Sequence, residues 1–490
     1  MVSIDLGAQS GRVALGRYDG ETLSVTELHR FANVAVRAAG TLYWDALRLQ
    51  DGVLEGLRFA AREAGGRIDS VAVDTWGIDF ALLDRAGRLV GNPVHYRDER
   101  TQGAMEQVFA LIPRQELYAR TGIQLMPINT VFQLASMAAA DDPSLAAASS
   151  LLMMADLFHY WLSGVQACEL TNATTSQLYD PVSGGWASDL LERLRIRPTI
   201  FPEIVEPGTV LGPLLPQVAD ETRIAGAIVV ATATHDTAAA VAAIPFREPR
   251  SAYISSGTWS LVGVEVDAPV IDERSFVANL TNEGGVAGTL LLRNMTGLWM
   301  LDECRRAWAR AGADVGYEEL MVRIEQTTGL RSIVDADDPA FLAPGDMPRR
   351  IRDHCARAGE PPPVDQAAIA RCVLESLALK YRQTIDLLET VTGSRPPAIH
   401  VVGGGALNRL LCQWTADATG LPVIAGPVEA AEIGNLAVQA LAIGELASIA
   451  EVRELVGRSF TTQTYEPRAR APWDDAYARL ERSAAATDHG

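Results

Sequence analysis

Apolar positions along this chain follow two alternating rhythms. Short β-branched runs, bounded by Gly, Ser or Thr turns, alternate with stretches of helical period, which predicts an α/β protein with helix-covered sheets. The chain opens on the alternation Val2, Ile4, Leu6. Residues 228–230 predict a buried strand, 234–237 a turn, and the Ala-rich stretch to Ile244 a helix halted by Pro245. Later, 399–402 predicts a strand running into Gly403, Gly404 and Gly405. The following helix would set Leu407, Leu410, Leu411, Trp414 and Ala418 on one face, stop at Gly420 and give way to a strand at 423–425. The Pro-, Asp- and Gly-rich segment 335–363 reads as an irregular surface excursion, and the chain after Thr461 as a peripheral tail.

One plan occurs twice. VSIDLGAQSGRVALGRY near the start and SAYISSGTWSLVGVEV later each read as strand, small-residue turn and returning strand. Aligning Gly7 with Gly257 sets Asp5 against Ser255 and Ser10 against Ser260. The repeat predicts two related α/β halves with a boundary near 246–251 and a ligand cleft between them; two unrelated hairpins would look the same at this similarity.

Length and composition narrow the functions available. A chain of 490 residues with 48% apolar content suits two domains rather than one core. Its 42 basic and 61 acidic residues give a formal charge of −19, which disfavours nucleic acid and anionic membranes as partners. An anionic ligand would have to be held locally, by backbone N–H groups, single arginines or a metal. Lys380 is the sole lysine, and neither a Walker A lysine nor a protein-kinase strand lysine is present in its motif. The most apolar stretch, 225–245, has the length of a membrane span but carries His235 and Asp236 at its middle, so it reads as strand plus helix. Cys168, Cys304, Cys355, Cys372 and Cys412 include no CxxC pair, and with no signal-peptide pattern at Met1 they predict free thiols and a cytoplasmic location.

Five segments carry candidate chemistry. In Asp5-Leu6-Gly7-Ala8-Gln9-Ser10-Gly11-Arg12, the glycines admit an anion to the backbone, Ser10 offers a hydroxyl and Arg12 a guanidinium. A carboxylate beside a phosphate cradle needs a cation, so Asp5 suggests Mg²⁺ held directly or through water. Ser255-Ser256-Gly257-Thr258 could meet phosphates from the other half, and Gly403 to Gly405 could support a flat base or ribose at a strand's carboxyl end. In Thr234-His235-Asp236-Thr237, Asp236 could accept a hydroxyl proton during phosphoryl transfer, or simply cap the helix behind it. Asp74-Thr75-Trp76-Gly77-Ile78-Asp79 and His95 to Arg100 offer Trp76, Arg97 and Asp98 to a sugar, or else form a core tryptophan and a solvated charge cluster.

The ordered blocks IDLGAQSGR, DTWGIDFALLD, HYRDERT, GIQLMPINT, TNATTSQL, ATHDTAAAV, ISSGTWSL, TNEGG, HVVGGGALN and VIAGPVEAAEIGN resemble the FGGY carbohydrate kinases from about Ser3 to Leu446. The resemblance implies two actin-like, ribonuclease-H-like α/β domains with ATP and Mg²⁺ in the cleft, and transfer of phosphate to the 1-hydroxyl of L-rhamnulose. L-Fuculose, D-xylulose or L-ribulose are alternative acceptors; a non-catalytic actin-like ATPase or sugar sensor is the alternative from another class. It places an N-terminal domain at 1–246, a C-terminal domain at 247–446 and a tail at 447–490. By the same resemblance, Ala8, Gln9, Ser10, Gly11, Arg12, Thr258 and Gly404 are nucleotide-binding positions. Gly77, His235, Asp236, Thr237 and Asn294 are sugar-binding positions, and Asp236 is the catalytic base. Asp302 departs from the family, standing where a nucleotide-contacting Gln is expected; an anion there would avoid phosphate. Thr415 and Thr419 replace a cysteine pair of some relatives, so no bridge forms there.

Overall fold

The computed structural model describes residues 1–313 and 315–487, with side chains described to Arg482. The chain divides into two compact units. The first comprises 1–245, 265–291 and 430–460; the second comprises 246–264, 292–429 and 461–490. The chain thus leaves the first unit at Pro245 and returns to it twice.

The first unit is built on a six-stranded sheet in the order Thr209–Pro213, Ile228–Ala231, Ser70–Thr75, Val2–Leu6, Ser10–Tyr18, Leu23–Ala32. Val2–Leu6 runs antiparallel to Ser10–Tyr18 and parallel to Ser70–Thr75, so one register sets Asp5 opposite Arg12 on one side and Asp74 on the other. Both faces are covered. Val13 packs under Gly56 of the helix Ala46–Glu63, where an added Cβ would lie 2.3 Å from Val13 Cγ2. On the opposite face Gly16 lies under Leu436 of the helix Ala430–Ala442, with 2.6 Å for the same hypothetical Cβ. This double burial explains the nearly continuous apolar character of the central strands. A second cluster of buried side chains, around Phe80, Val108, Phe132, Leu151 and Leu191, carries the helical insertions between the sheet strands.

In the second unit, Trp259–Val266, Ala252–Ser256, Ile399–Val402, Val423–Ala425 and Gln463–Tyr465 lie side by side. The middle pairs, Ala252–Ser256 with Ile399–Val402 and Ile399–Val402 with Val423–Ala425, are parallel; the outer pairs are antiparallel. Each unit therefore opens on a hairpin whose first strand pairs in parallel with a later one. The two turns differ by one residue. Leu6 pairs with Gly11, but Ser256 pairs with Ser260, so Ser260 is a strand residue whose Oγ lies 2.7 Å from the buried Tyr381 hydroxyl.

Three segments differ from the sequence expectation. Leu407 is 68% exposed and lies in a 3₁₀ turn, because the Asn408 side chain accepts from Leu411 N–H at 3.0 Å and starts the helix Arg409–Thr419 after it. The segment 335–363, expected to be irregular, contains the helix Met347–Arg357, capped by Asp346 and burying Met347, Ile351 and Cys355. Where a tail is expected at 447–490, the chain forms the helix Ile449–Ser459, the edge strand Gln463–Tyr465 and the helix Ala471–Thr487, which buries Trp473, Ala476 and Leu480. Residues 488–490 lie outside the described residues. All five cysteines are buried free thiols, Cys355 and Cys372 included. Among the described residues no helix is long and apolar enough to cross a membrane.

Candidate active site

The first hairpin turn is fixed by its own backbone and by one side chain. Gly7 N–H donates to Ser10 O at 3.0 Å, Asn33 Nδ2 donates to Gly7 O at 2.9 Å, and Asn33 N–H donates to Gln9 O at 3.0 Å. Gln9 is exposed while Ala8 and Ser10 are half-buried, so the turn presents backbone and small side chains outward. Gly11 has a different reason for being glycine: an added Cβ would lie 2.3 Å from the Phe31 ring.

The register at Asp5 assembles a group of charges. Arg12 lies 2.7 Å from the buried Asp5 and 2.8 Å from Glu432 on the covering helix. Asn435, one helical turn on, donates to Asp74 Oδ1 at 2.5 Å, while the buried Asp74 Oδ2 has no hydrogen-bond partner. Burial, followed by the charges of Asp5, Glu432 and Asp236, raises the Asp74 carboxyl well above its usual range. Four acids thus share one neighbourhood with Arg12.

Asp236 opens the helix Asp236–Ala242, directly after the strand Ile228–Ala231 and its turn. Its side chain is 34% exposed, and its carboxylate lies 3.5 Å from His235 Nε2. The other imidazole nitrogen, Nδ1, lies 3.2 Å from Glu283 Oε2. Enclosure raises the Asp236 carboxyl, opposed first by the charge of His235 and then by Thr237, whose hydroxyl donates at 3.3 Å. Burial pulls the His235 imidazole down, but Glu283, with the charges of Asp236 and Glu169, outweighs it and raises the group overall. The turn itself hangs on Glu169, fully buried, which accepts from Thr171 N at 2.9 Å, Thr171 Oγ1 at 2.5 Å, Thr234 N at 3.0 Å and Thr234 Oγ1 at 2.5 Å. Four donors on one carboxylate are what make such a buried charge tolerable. Thr171 Oγ1 in turn accepts from His235 N–H at 3.0 Å.

Gly77 sits where a Cβ would fall 2.8 Å from Thr175 Oγ1, and Ile78 beyond it holds a left-handed φ of 66°. Three bonds hold that conformation: Ile78 N–H donates to Thr175 Oγ1 at 3.0 Å, and Ile78 O accepts from Thr130 Oγ1 at 2.6 Å and Gln133 Nε2 at 3.4 Å. Strain of this kind persists only where neighbours over-determine it. Trp76 is 7% exposed and packs on Trp44 at 4.2 Å, which stacks on His95 at 3.9 Å. Asp79 is saturated by Trp44 Nε1 at 2.6 Å, Trp76 Nε1 at 3.0 Å and Gln133 Nε2 at 3.0 Å, and burial pushes it up to about 6. Asp98 accepts from Leu42 N–H at 2.7 Å and Arg100 N–H at 3.0 Å. Trp76, Asp79 and Asp98 therefore build the frame behind Gly77.

The buried histidines of this frame make a stability prediction. Burial depresses His95, with help from Arg97, and His159, which accepts from Val73 N–H at 2.9 Å, each to about 3. Both stay neutral in the folded chain, while the unfolded chain takes up a proton below its ordinary value of ~6.5. Stability is present above that value and is lost as pH falls, by up to ~1.4 kcal/mol per pH unit per histidine. Asp79 acts in the opposite sense between ~3.9 and about 6, because the folded chain keeps its proton there. The raised carboxyls of Asp74 and Asp236 act in the sense of Asp79, so the histidine contribution is read as a difference: between pH 7.0 and 5.5 the urea-unfolding midpoint of His159→Gln should shift toward greater relative stability at the lower pH than that of the unsubstituted chain.

In the second unit, Thr258 is half-buried in its turn, its carbonyl accepting from Gly297 N–H at 3.1 Å and Trp299 N–H at 3.3 Å. The glycine triplet divides by role. An added Cβ would lie 3.0 Å from Ser256 O at Gly403 and 2.0 Å from Ser256 Oγ at Gly405, whereas Gly404 is exposed with nothing within 4 Å. The fold requires the outer two and leaves the surface above Gly404 open. Gly404→Val should accordingly keep its urea-unfolding midpoint, and, on the nucleotide role that the sequence resemblance implies for Gly404, raise KM for ATP at least several-fold in steady-state kinetics. Asn294 is half-buried on the strand Thr289–Thr296 and belongs to the second unit, unlike Gly77, His235, Asp236 and Thr237. Lys380 is buried between Asp335 at 2.8 Å and Asp337 at 3.1 Å, a structural ion pair.

Among the described residues no group of three His, Cys, Asp or Glu side chains is arranged to hold a metal alone. Asp5 and the unpartnered Asp74 Oδ2 do offer oxygen donors to a hard cation, whose charge would favour the ionised form of Asp74. That donor set fits Mg²⁺ arriving on phosphates, an ion that keeps its waters and takes one or two carboxylates.

A hairpin and carboxylate group of this kind, repeated as a hairpin in a second unit, belong to a defined class of enzyme. Residues 1–243 match the N-terminal domain and residues 252–443 the C-terminal domain of the FGGY family of carbohydrate kinases. The chain belongs to that family and is a sugar kinase. It is 42% identical over 480 residues to a rhamnulokinase of Bacteroides thetaiotaomicron, covering 98% of each chain. It is 39% identical over 488 residues to a rhamnulokinase of Pectobacterium carotovorum subsp. carotovorum, covering 98% of this chain and 96% of that one. In fold it resembles a xylulose kinase from Rhodospirillum rubrum, with a TM-score of 0.80 at 18% identity, over 99% of this chain and 98% of that one.

No local residue pattern marks Asn33, Asp74, Glu169, Glu283, Glu432 or Asn435 for these contacts. Asp74, Glu283, Glu432 and Asn435 lie inside blocks DTWGID, TNEGG and EAAEIGN, so a signal existed without a chemistry attached. Asn33 and Glu169 carry no sequence signal, since their roles arise from contacts with distant backbone.

Proposed function

We propose that this chain transfers the γ-phosphate of ATP to the 1-hydroxyl of L-rhamnulose, giving L-rhamnulose 1-phosphate in L-rhamnose catabolism. The near full-length similarity to two rhamnulokinases supports the choice of sugar. The chemistry rests on one observation: Asp236 is the partly accessible carboxylate of a largely buried acidic group, backed by an imidazole. It accepts the 1-hydroxyl proton as that oxygen bonds to the γ-phosphorus and the bond to the ADP oxygen breaks. Gly77, His235, Thr237 and Asn294 contact the sugar. Ala8, Gln9, Ser10, Gly11 and Arg12 contact the phosphates, and Thr258 and Gly404 the rest of the nucleotide. In this division of labour the base and the first phosphate turn come from residues 1–246 and the adenosine contacts from 247–446. Mg²⁺ would be held at Asp5, directly or through water, and would supply neutralisation of phosphate charge.

We assign the protein to the cytoplasm, where buried free thiols stay reduced. The charge of −19 gives no support to nucleic acid or anionic membrane as partners. ADP release should require a ketose. Release at the same rate without sugar would instead indicate an actin-like ATPase.

A further inference from the structure

We propose that Glu283 is a positioning residue that holds the His235 imidazolium against Asp236. The inference rests on the reading of Asp236 as the base. His235 lies between two carboxylates, Nδ1 at 3.2 Å from Glu283 and Nε2 at 3.5 Å from Asp236, with its side chain 8% exposed. Glu283 is itself buried, at 4% side-chain exposure, in a strand clamped at both neighbours. Asn282 Nδ2 donates to Gly122 O at 3.0 Å, and Gly284 N–H donates to Thr174 Oγ1 at 2.9 Å. Thr281 Oγ1 reaches Glu283 Oε1 at 3.4 Å.

The charge inventory gives this geometry a purpose. Glu283 and Glu169 bring negative charge to His235 from other elements and Asp236 from its own, and these charges are the largest influences on it after burial. His235 is the largest favourable charge on Asp236, against Glu283 and the repulsion with Asp74. A neutral imidazole would take away the largest favourable charge on the base and leave it facing Glu283 and Asp74. The Asp236 carboxyl would then keep its proton to a higher pH and be unfit to accept another. Glu283 also repels Asp236 directly, but the charge of His235 on Asp236 is the larger, so the influence relayed through the imidazole outweighs the direct one.

Two readouts test this on the full-length enzyme. In Glu283→Gln the acid limb of the kcat–pH profile should move up by about one pH unit, so that turnover on that limb falls about tenfold at fixed pH. KM for ATP should stay constant, and Glu283→Asp, which keeps the charge, should restore most of the limb. An unmoved limb in a folded Glu283→Gln protein would overturn the proposal. Histidine-labelled NMR, with the His235 signal assigned by its loss in His235→Gln, reads the same contact without turnover. The wild-type signal should titrate above the ordinary ~6.5, and a titration below it would also overturn the proposal. Normal turnover of Asp236→Asn would instead remove the base reading, leaving the histidine titration intact as a separate result.

Discussion

Asp236→Asn should lower kcat by about 10²–10⁴-fold with the unfolding midpoint and KM for ATP little changed. An amide is nearly isosteric with the carboxylate but cannot take up the sugar proton. The side chain is 34% exposed, and its polar contacts are His235 at 3.5 Å and the Thr237 hydroxyl at 3.3 Å, so the substitution removes no packing. It also removes one negative charge from the neighbourhood of Asp5, Asp74 and Glu432, which offsets any lost contact. Steady-state kinetics beside urea unfolding checks both halves. A retained turnover would remove Asp236 from the chemistry, and a collapsed midpoint would make it a structural residue.

Gly434→Ala should be among the most damaging single substitutions away from the substrate positions. Gly434 faces the helix that begins with Asp236, and an added Cβ would lie 1.8 Å from Ala239 O and 2.6 Å from Ala239 C. Those atoms are backbone and cannot rotate away, so one of the two helices must shift. Forced overpacking of this sort costs ~1–3 kcal/mol or more. A displacement of the Asp236 helix also disturbs the Asp236–His235–Glu283 geometry, and misplacement by about 1 Å can cost ~10²-fold in rate. Both the unfolding midpoint and kcat should therefore drop, whereas Gly404→Val should affect KM for ATP alone. Equal, mild effects at both glycines would contradict the division between packing and open glycines.

The legibility of this chain followed the range of its interactions. The strands 228–231, 399–402 and 423–425, the turn before Asp236 and the stop at Gly420 were readable because apolar rhythm and glycine punctuation are local signals. The helix Met347–Arg357 was hidden because Pro348 and Asp346 look like loop residues, although Pro in a first turn behind an Asp cap is a helix start. The edge strand Gln463–Tyr465 was hidden because it is short and largely exposed, and exists by pairing with Val423–Ala425. The same rule applies to the site. Asp5, Arg12 and Asp236 flank recognisable turns, but Arg12 also bonds Glu432, more than 400 residues further along the chain. Trp76 and Asp98, which look like sugar-lining residues in the sequence, are framework parts whose hydrogen bonds run to Asp79 and to the backbone of Leu42 and Arg100.

The central claim is the identity of the sugar, and kcat/KM measured by coupled ADP release across L-rhamnulose, L-fuculose, D-xylulose, L-ribulose and glycerol tests it most directly. L-Rhamnulose should exceed every other acceptor by at least tenfold, with phosphate found on the 1-hydroxyl of the product by NMR. A higher kcat/KM for any other acceptor in the panel would contradict the assignment.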